Sequence, residues 1–218
     1  MTELERQEKA EKFKGLLLWT GRDGIDKLLE FIGKSDFYTA PASTKFHGSY
    51  EGGLLEHSLN VYNRLHEKMS KDPIWIQVAE KKGYTEENYI ISALLHDICK
   101  TYYYTQDFKN QKTYDVEKVK AANPKEVKKD NHGAFIWESV PFYTVEDKIP
   151  LGHGVKSVFM IEEYIKLKPC ERYSVRWHMG AYDVTHTEAY TLGNAMELHP
   201  LVLALHEADM EATHIMEV

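Results

Sequence analysis

Segment 93–100, which reads ALLHDICK, places ionisable side chains at the end of an apolar run. The apolar residues extend to Leu95, and a histidine, an aspartate and a lysine follow directly. An ionised carboxylate in apolar surroundings is costly unless it is paired or bound to a metal ion. The segment therefore predicts either a structural salt bridge between Asp97 and a cation such as Lys100, or a metal site that uses His96 and Asp97.

Two further predicted helices also place an ionisable side chain on an apolar face. In GLLEHSLNVYNRLHEKM, His57 lies three residues after Leu54 and four before Val61, on the apolar stripe. In HPLVLALHEADMEATHIM, Asp209 lies four residues after Leu205, again on an apolar stripe. A histidine, a His-Asp pair and an aspartate thus come from three separate helices, which is a ligand set suited to one ion.

Two more histidines adjoin predicted helices and extend the set. His153 in LGHGV begins one helix, and His178 in RWHMG stands near the end of another. Mixed nitrogen and oxygen ligands suit Mn, Fe, Co, Ni or Zn, whereas Mg is less suited to imidazole. A single histidine on a helix is more often an ordinary core or surface residue. That interpretation covers the histidines left unassigned, which are His66, His132, His186, His199 and His214.

Composition bounds the class of protein. The 218 residues are 43% apolar and carry a net charge of −7, so a sizeable core is expected and a broad basic surface for long nucleic acid is not. Two cysteines make no disulfide framework, and no segment is apolar for the length of a membrane span. We therefore expect a cytoplasmic protein without a membrane partner. The oligomeric state is left open.

The order of patterns predicts a mainly α fold in one domain over residues 1–218. Residues 1–24 are expected to form an N-terminal helical extension, and Thr85 with either Asn88 or Glu87 predicts a capping box before the ALLHDICK helix. A β-rich insertion is expected at about 101–152, where TYYYTQDF, KTYDVEK and AFIWESVPFYTVED favour short strands. We expect turns at KNQK and at VKKDNHG.

The ordered set His57, His96-Asp97 and Asp209 resembles the H…HD…D signature of the HD-domain metal-dependent phosphohydrolases. The segments HGSYEGGLLEHSLNVY, LLHDICK, LGHG, RWHMG and LALHEADMEAT together are similar to the bacterial and phage branch of that family. They also resemble the HD domain of a class of 3′–5′ exoribonucleases. The resemblance extends from about residue 25 to the end of the chain. One departure is Cys99, where the family often has glycine. Cys99 is two residues past Asp97 on the predicted helix, so we expect it to pack in the core, away from the site.

The resemblance implies an HD-type helical bundle with divalent transition-metal ions at its centre. It assigns a first ion to four residues, which are His57, His96, Asp97 and Asp209. It assigns a second ion to His153 and His178, with Asp97 bridging. Asp97 and Lys100 would be the catalytic residues. Lys100 is the predicted phosphate contact, and His47 is a predicted substrate contact or a partner that positions a ligand. His206, one turn before Asp209, is expected to position a ligand.

The resemblance implies hydrolysis of a nucleotide phosphoester by a metal-activated water. The substrate would be a small nucleotide, a cyclic nucleotide or a short single strand of nucleic acid. The tyrosines at 102–104 would either stack against a base or pack within the insertion. Two alternatives stay open at this point. A di-iron oxygenase would use a similar ligand set, and a non-catalytic HD module would bind without turnover.

Overall fold

The computed structural model describes residues 1–185 and 187–217 of the chain, so His186 lies outside the described residues. Within them the protein is mainly helical, with a small antiparallel sheet. The helices are α1 (Glu3–Trp19), α2 (Ile25–Lys34), α3 (Gly53–Lys71), α4 (Pro73–Lys82), α5 (Glu86–Leu95), α6 (Val116–Ala121), α7 (His153–Glu162), α8 (Pro169–Trp177), α9 (Ala189–Leu198) and α10 (Leu201–Glu211). Short 3₁₀ turns follow at Ile98–Lys100 and Gly180–Asp183, and a π-helical turn at Ala212–Met216. The strands are β1 (Tyr104–Thr113), β2 (Lys128–Asp130) and β3 (Gly133–Val145).

One apolar core joins most of the helices. Helix α3 packs against α5 and α10, and α8 packs against α5, α7 and α10. The apolar stripes predicted from the sequence are buried there, with Leu54 and Val61 of α3 and Leu205 of α10 fully enclosed. Helix α1 adds Phe13 and Leu17 to the same core. The predicted N-terminal extension is therefore packed against the helices that carry the site, while the division into domains stays a prediction.

Polar contacts fix the relative positions of α5 and α8. Asn88 accepts a hydrogen bond from the Thr85 backbone N–H at 2.9 Å, which confirms the predicted capping box. Its amide also donates to the fully buried Glu171 at 2.8 Å. Arg22, in the loop before α2, donates to the same carboxylate at 2.7 Å and to Glu87 at 2.6 Å. The buried charge of Glu171 is thus paired and fully hydrogen-bonded, as a buried carboxylate requires.

The β-rich insertion is present at the predicted place, but its internal structure differs from the prediction. The strand order is β1-β3-β2, and β1 pairs with β3 from Tyr104↔Val145 to Thr113↔Ile136. The KNQK segment is not a turn, since it lies inside β1. Most of β1 is exposed to solvent, so polar residues are tolerated within a continuous strand. KTYDVEK is not a strand throughout, because Asp115 caps the N-terminus of α6 through two backbone N–H groups.

Among the described residues, no helix combines the length and the apolar character that a membrane crossing requires.

Candidate metal centre

The structure brings the six predicted ligands to one place in the core. His57 comes from α3, His153 is the first residue of α7, and Asp209 comes from α10. His96 and His178 directly follow the last residues of α5 and α8. Five of the six are buried, and His153 is exposed only in part. Helical periodicity predicts the inward position of His57 and Asp209, which lie on apolar stripes, whereas His153 and His178 are expected at the site from their places near a helix start and a helix end.

Helix α5 ends sooner than the sequence predicts. It stops at Leu95, Asp97 adopts φ −108° and ψ 18°, and a 3₁₀ turn covers Ile98–Lys100. The angle of 100° per residue that places Cys99 opposite Asp97 on an α-helix no longer applies. Cys99 therefore lies on the site side, with its Sγ 3.3 Å from Nδ1 of His153. The expectation that Cys99 packs away from the site is wrong.

Three imidazoles are held in one tautomer. Nδ1 of His96 donates to the Ala93 carbonyl and Nδ1 of His178 to the Val175 carbonyl, each at 2.7 Å. Nδ1 of His57 lies 3.2 Å from both oxygens of the Glu217 carboxylate. Carbonyl and carboxylate oxygens accept hydrogen bonds, so a proton belongs on Nδ1 of each ring, and Nε2 of His96 and of His178 keeps its lone pair. Ligand histidines in metal sites are oriented in this way.

The Nε2 atoms and carboxylate oxygens converge at distances that fit one metal ion. Nε2 of His57 lies 3.3 Å from Nε2 of His96 and 3.2 Å from Oδ1 of Asp209. Nε2 of His96 lies 3.5 Å from Oδ2 of Asp97. Two ligands on a tetrahedral ion with bonds of 2.0–2.1 Å are about 3.3 Å apart. A cation in the place of a proton on Nε2 of His57 would contact Nε2 of His96 and Oδ1 of Asp209 as well.

A second group of donors adjoins Oδ1 of Asp97, and it is continuous with the first, since the donor atoms of His96, His178 and Asp209 also lie within 4.8 Å of one another. Nε2 of His178 is fully buried and has no hydrogen-bond partner within the described part of the chain. It lies 3.4 Å from Oδ1 of Asp97, and Nε2 of His153 lies 2.5 Å from the same oxygen. A buried, unpaired acceptor calls for an explanation, and an ion at this point supplies one. The buried His and Asp residues could thus hold a metal ion.

The charges at the centre depend on one another. Burial lowers the pKa of His57, but Asp209 and Glu217 outweigh burial and raise it to about 9. Burial raises the pKa of Asp209, but the hydrogen bond and charge of His57 hold it well below its usual range. Asp209 is therefore ionised at neutral pH, and its negative charge favours a cation next to it. A divalent ion would take the place of the proton on His57.

Lys100 forms an ion pair with Asp97, its Nζ lying 2.6 Å from Oδ2. Burial lowers the pKa of Lys100, but the Asp97 carboxylate outweighs it, and the net shift is upward. Burial raises the pKa of Asp97, while Lys100 and then His96 hold it well below the usual range. The salt bridge considered from the sequence is thus present, but it explains neither Asp209 nor the unpaired Nε2 of His178.

The centre opens into a pocket of about 740 Å³. His47 lines it, with a ring centroid 4.9 Å from that of His57 and an Nδ1 that is buried without a partner among the described residues. Burial first, and the neighbouring His57 second, lower the pKa of His47 to about 4. His47 is therefore neutral at pH 7 and able to accept a hydrogen bond. Its predicted role, substrate contact or positioning, stays a prediction.

Sequence reasoning missed several residues that line this pocket, including His214, which it left unassigned, and three of them bear most on the chemistry. Glu217 holds His57 from 160 positions away, and helical periodicity gives no signal for such a contact. Phe46 and Tyr182 line the pocket although they are 81% and 78% exposed. Both lie outside the α-helices, where apolar periodicity does not apply. His206, by contrast, donates from Nδ1 to the His178 carbonyl at 2.7 Å, a contact that fits its expected positioning role.

The tyrosines at 102–104 do not line this pocket. The hydroxyl of Tyr102 donates to the Lys34 carbonyl and that of Tyr104 to the Ala42 carbonyl, both at 3.1 Å. The ring of Tyr103 lies under Nζ of Lys156 at 5.0 Å. These three contacts join the start of the insertion to residues outside it, and of the ring contacts that these tyrosines make with described residues, only the edge-to-face pair of Tyr103 and Tyr104 is packing within the insertion. The aromatic residues at the pocket are Phe46 and Tyr182.

Comparisons with protein-family models, with curated proteins and with solved structures each find no match to this chain.

Proposed function

We propose that the chain is an HD-type metal-dependent phosphohydrolase that cleaves a nucleotide phosphoester. The observation that carries the proposal is the ring of Nε2 and carboxylate donors around Asp97, placed at the base of an open pocket. Four imidazoles and two carboxylates, from five helices or the residues that directly follow them, meet there, and His57, His96, His178 and Asp209 lie at the spacings of an ion's ligands. The order of these residues along the chain also resembles the signature of the HD family.

Two divalent transition-metal ions would be held on either side of Asp97. His57, His96 and Asp209 would complete one site, and His153 and His178 the other. Mn, Fe, Co, Ni or Zn suits these donors better than Mg does. When bound, such a pair supplies a hydroxide near neutral pH and neutralises phosphoryl oxygens.

The chain's own residues perform the remaining tasks. Asp97 offers one carboxylate oxygen to each side of the centre, since Oδ2 faces His96 and Oδ1 faces His178. Lys100 lines the pocket with its Nζ 2.6 Å from Oδ2 of Asp97, and with a cation held by Asp97 its ammonium would be available to bind a phosphoryl oxygen. Neutral His47 is able to accept a hydrogen bond from a substrate hydroxyl.

The pocket supports a nucleotide as the substrate class. Its volume of about 740 Å³ lies within the range of small-molecule sites. Phe46 and Tyr182 expose most of their rings at its lining, and such rings stack on bases of any sequence. A short single strand of nucleic acid whose terminal base enters the pocket is the alternative form of substrate. Two free cysteines are in keeping with a reducing cytoplasm as the proposed compartment.

The direct test is Asp97→Ala, assayed with nucleoside mono-, di- and triphosphates, cyclic nucleotides and short oligonucleotides. We expect the wild-type protein to hydrolyse members of this panel with Mn²⁺ and without oxygen, and Asp97→Ala to lose both metal and turnover. Retained metal and retained turnover in the variant would remove the proposal. Oxygen consumption with bound iron and no hydrolysis would favour the oxygenase, and metal binding without any turnover would favour a binding module.

The substrate class has its own test. Phe46→Ala and Tyr182→Ala should each raise KM for a nucleotide by about 5- to 150-fold, which is the stacking contribution of about 1–3 kcal/mol per base. The matched control is Tyr190→Ala, because Tyr190 is 79% exposed but does not line the pocket. A phosphoester without any aromatic ring, such as glycerol 2-phosphate, should show unchanged KM in all three variants. Equal effects on both substrates would contradict base stacking.

A further inference from the structure

The second group of donors contains a sulfur atom. Sγ of Cys99 lies 3.3 Å from Nδ1 and 3.6 Å from Nε2 of His153. Cys99, His153 and Asp97 each offer a ligand atom, and these atoms lie within 4.8 Å of one another. Cys99 itself is buried. The sulfur is thus part of the same donor cluster and does not belong to the apolar core behind it.

The sulfur–nitrogen spacing fits a shared ion, whereas Nε2 of His153 and Oδ1 of Asp97 are at a hydrogen-bond distance of 2.5 Å and would have to separate on metal binding. In a tetrahedral site with a metal–sulfur bond of 2.3 Å and a metal–nitrogen bond of 2.0–2.1 Å, the two donors are about 3.6 Å apart. The separation between Sγ of Cys99 and Nε2 of His153 is 3.6 Å. The independent observation is His178, whose buried Nε2 has no partner among the described residues and points at Oδ1 of Asp97 from 3.4 Å.

We infer that Cys99 is a thiolate ligand, and that Cys99, His153 and Asp97 hold a thiophilic divalent ion, with Nε2 of His178 facing the same Asp97 oxygen. This inference rests on the proposed function, because it names the ligands and the metal preference of the second ion. On binding, the thiol releases its proton to solvent and the sulfur bonds to the metal. Thiolate selects Zn²⁺, Cd²⁺, Co²⁺ or Fe²⁺ over Mg²⁺, since hard cations prefer oxygen ligands.

The two sides of the centre would then differ in metal preference. The side of His57, His96 and Asp209 offers nitrogen and oxygen only, whereas the side of Cys99 adds sulfur. A mixed centre follows, with a soft ion bound beside Cys99 and a second ion exchanging more readily on the other side. The competing geometry leaves Cys99 as an acceptor of a hydrogen bond from Nδ1 of His153, with no bond to the metal.

The test is titration of the metal-free full-length protein with Co²⁺ and with Cd²⁺, followed by ultraviolet absorption and by metal content. A thiolate ligand gives a sulfur-to-metal charge-transfer band, which a hydrogen-bonded thiol does not. In the wild-type chain we expect a charge-transfer band with the intensity of one metal–thiolate bond. The band should be lost in Cys99→Ser and unchanged in Cys170→Ser. The Cd²⁺ affinity of one of the two sites should fall at least about tenfold in Cys99→Ser.

The controls separate this inference from the proposed function. The chain has two cysteines, so a band kept in Cys170→Ser assigns the ligand to Cys99 even if Cys99→Ser fails to fold. Two bound ions without a charge-transfer band would overturn the inference and leave the proposed function standing. A band that disappears in Cys170→Ser would also overturn it. A wild-type protein that binds no Cd²⁺ or Co²⁺ would overturn both.

Discussion

The contact between α7 and α8 sets the distance between two proposed ligands, and Gly154 makes this contact close. A Cβ atom at Gly154 would lie 2.1 Å from the Arg176 carbonyl oxygen and 2.8 Å from that of Val175. The first distance is more than about 1 Å short of an ordinary van der Waals contact. The obstacle is backbone, so Gly154→Ala must move the two helices apart. His153 precedes Gly154 on one helix, and His178 follows Arg176 by two residues on the other.

The expected loss of stability in Gly154→Ala follows from the cost of overpacking a closed contact. Forcing one methyl group into a closed contact costs about 1–3 kcal/mol. For a chain of this size each kcal/mol lowers Tm by about 2–4 °C, so Gly154→Ala should melt about 2–12 °C below the wild type. A shift of about 1 Å between His153 and His178 should also remove the second ion, giving one bound Cd²⁺ per chain. The assays are thermal unfolding by circular dichroism and metal content after dialysis.

The matched control is Gly193→Ala. Gly193 is also in a helix, α9, but a Cβ there would meet nothing within 4 Å. Alanine is favoured over glycine in a helix by about 0.5–1 kcal/mol, so this variant should melt slightly above the wild type. Wild-type stability together with two bound ions in Gly154→Ala would refute the account of the contact between α7 and α8.

Three further outcomes follow from the contacts described. Arg22→Ala leaves the buried Glu171 carboxylate without its cation. The free energy of unfolding, measured in urea, should therefore fall by about 3–5 kcal/mol, and an unchanged value would contradict the pairing. Glu217→Ala frees Nδ1 of His57 and should weaken Mn²⁺ binding by about 10–100-fold in a chelator competition, whereas wild-type affinity would exclude this contact. In the metal-free protein the pKa of His57 is raised to about 9. The protonated imidazole therefore stabilises the fold fully below the unfolded-state pKa of about 6.5, and this stabilisation is lost as the pH rises through 9. Metal-free Tm should therefore fall between pH 6.5 and 9.5, and a smaller fall in His57→Ala is the check.

Much of the centre could be predicted because residues three or four positions apart lie on the same face of an α-helix. His57 and Asp209 share apolar stripes with neighbours three and four residues away, and such a stripe faces the core once the helix packs. Two polar side chains on such stripes have to meet partners in the core. The same reasoning gave a mainly helical chain with a β-rich insertion.

The rest depends on where elements end and on contacts distant in sequence. Helix α5 stops at Leu95 because the chain turns there into the site, and this early end moves Cys99 to the site side. Local propensity contains no information on that turn. Glu217 reaches His57 only after the last π-helical turn folds back on α3. The KNQK segment was predicted as a turn because its residues are polar. Strand β1 is mostly exposed to solvent, so it accommodates these polar residues without a break.

The most direct test of the account is the transition-metal content per chain of the wild-type protein and of Asp97→Asn, both reconstituted with Mn²⁺ or Zn²⁺ and desalted. Asp97 offers oxygens to both groups of donors. The account predicts about two ions per wild-type chain, and well below one in Asp97→Asn, with the variant still folded. A wild-type chain that retains no ion, or an Asp97→Asn chain that retains as many as the wild type, would contradict it.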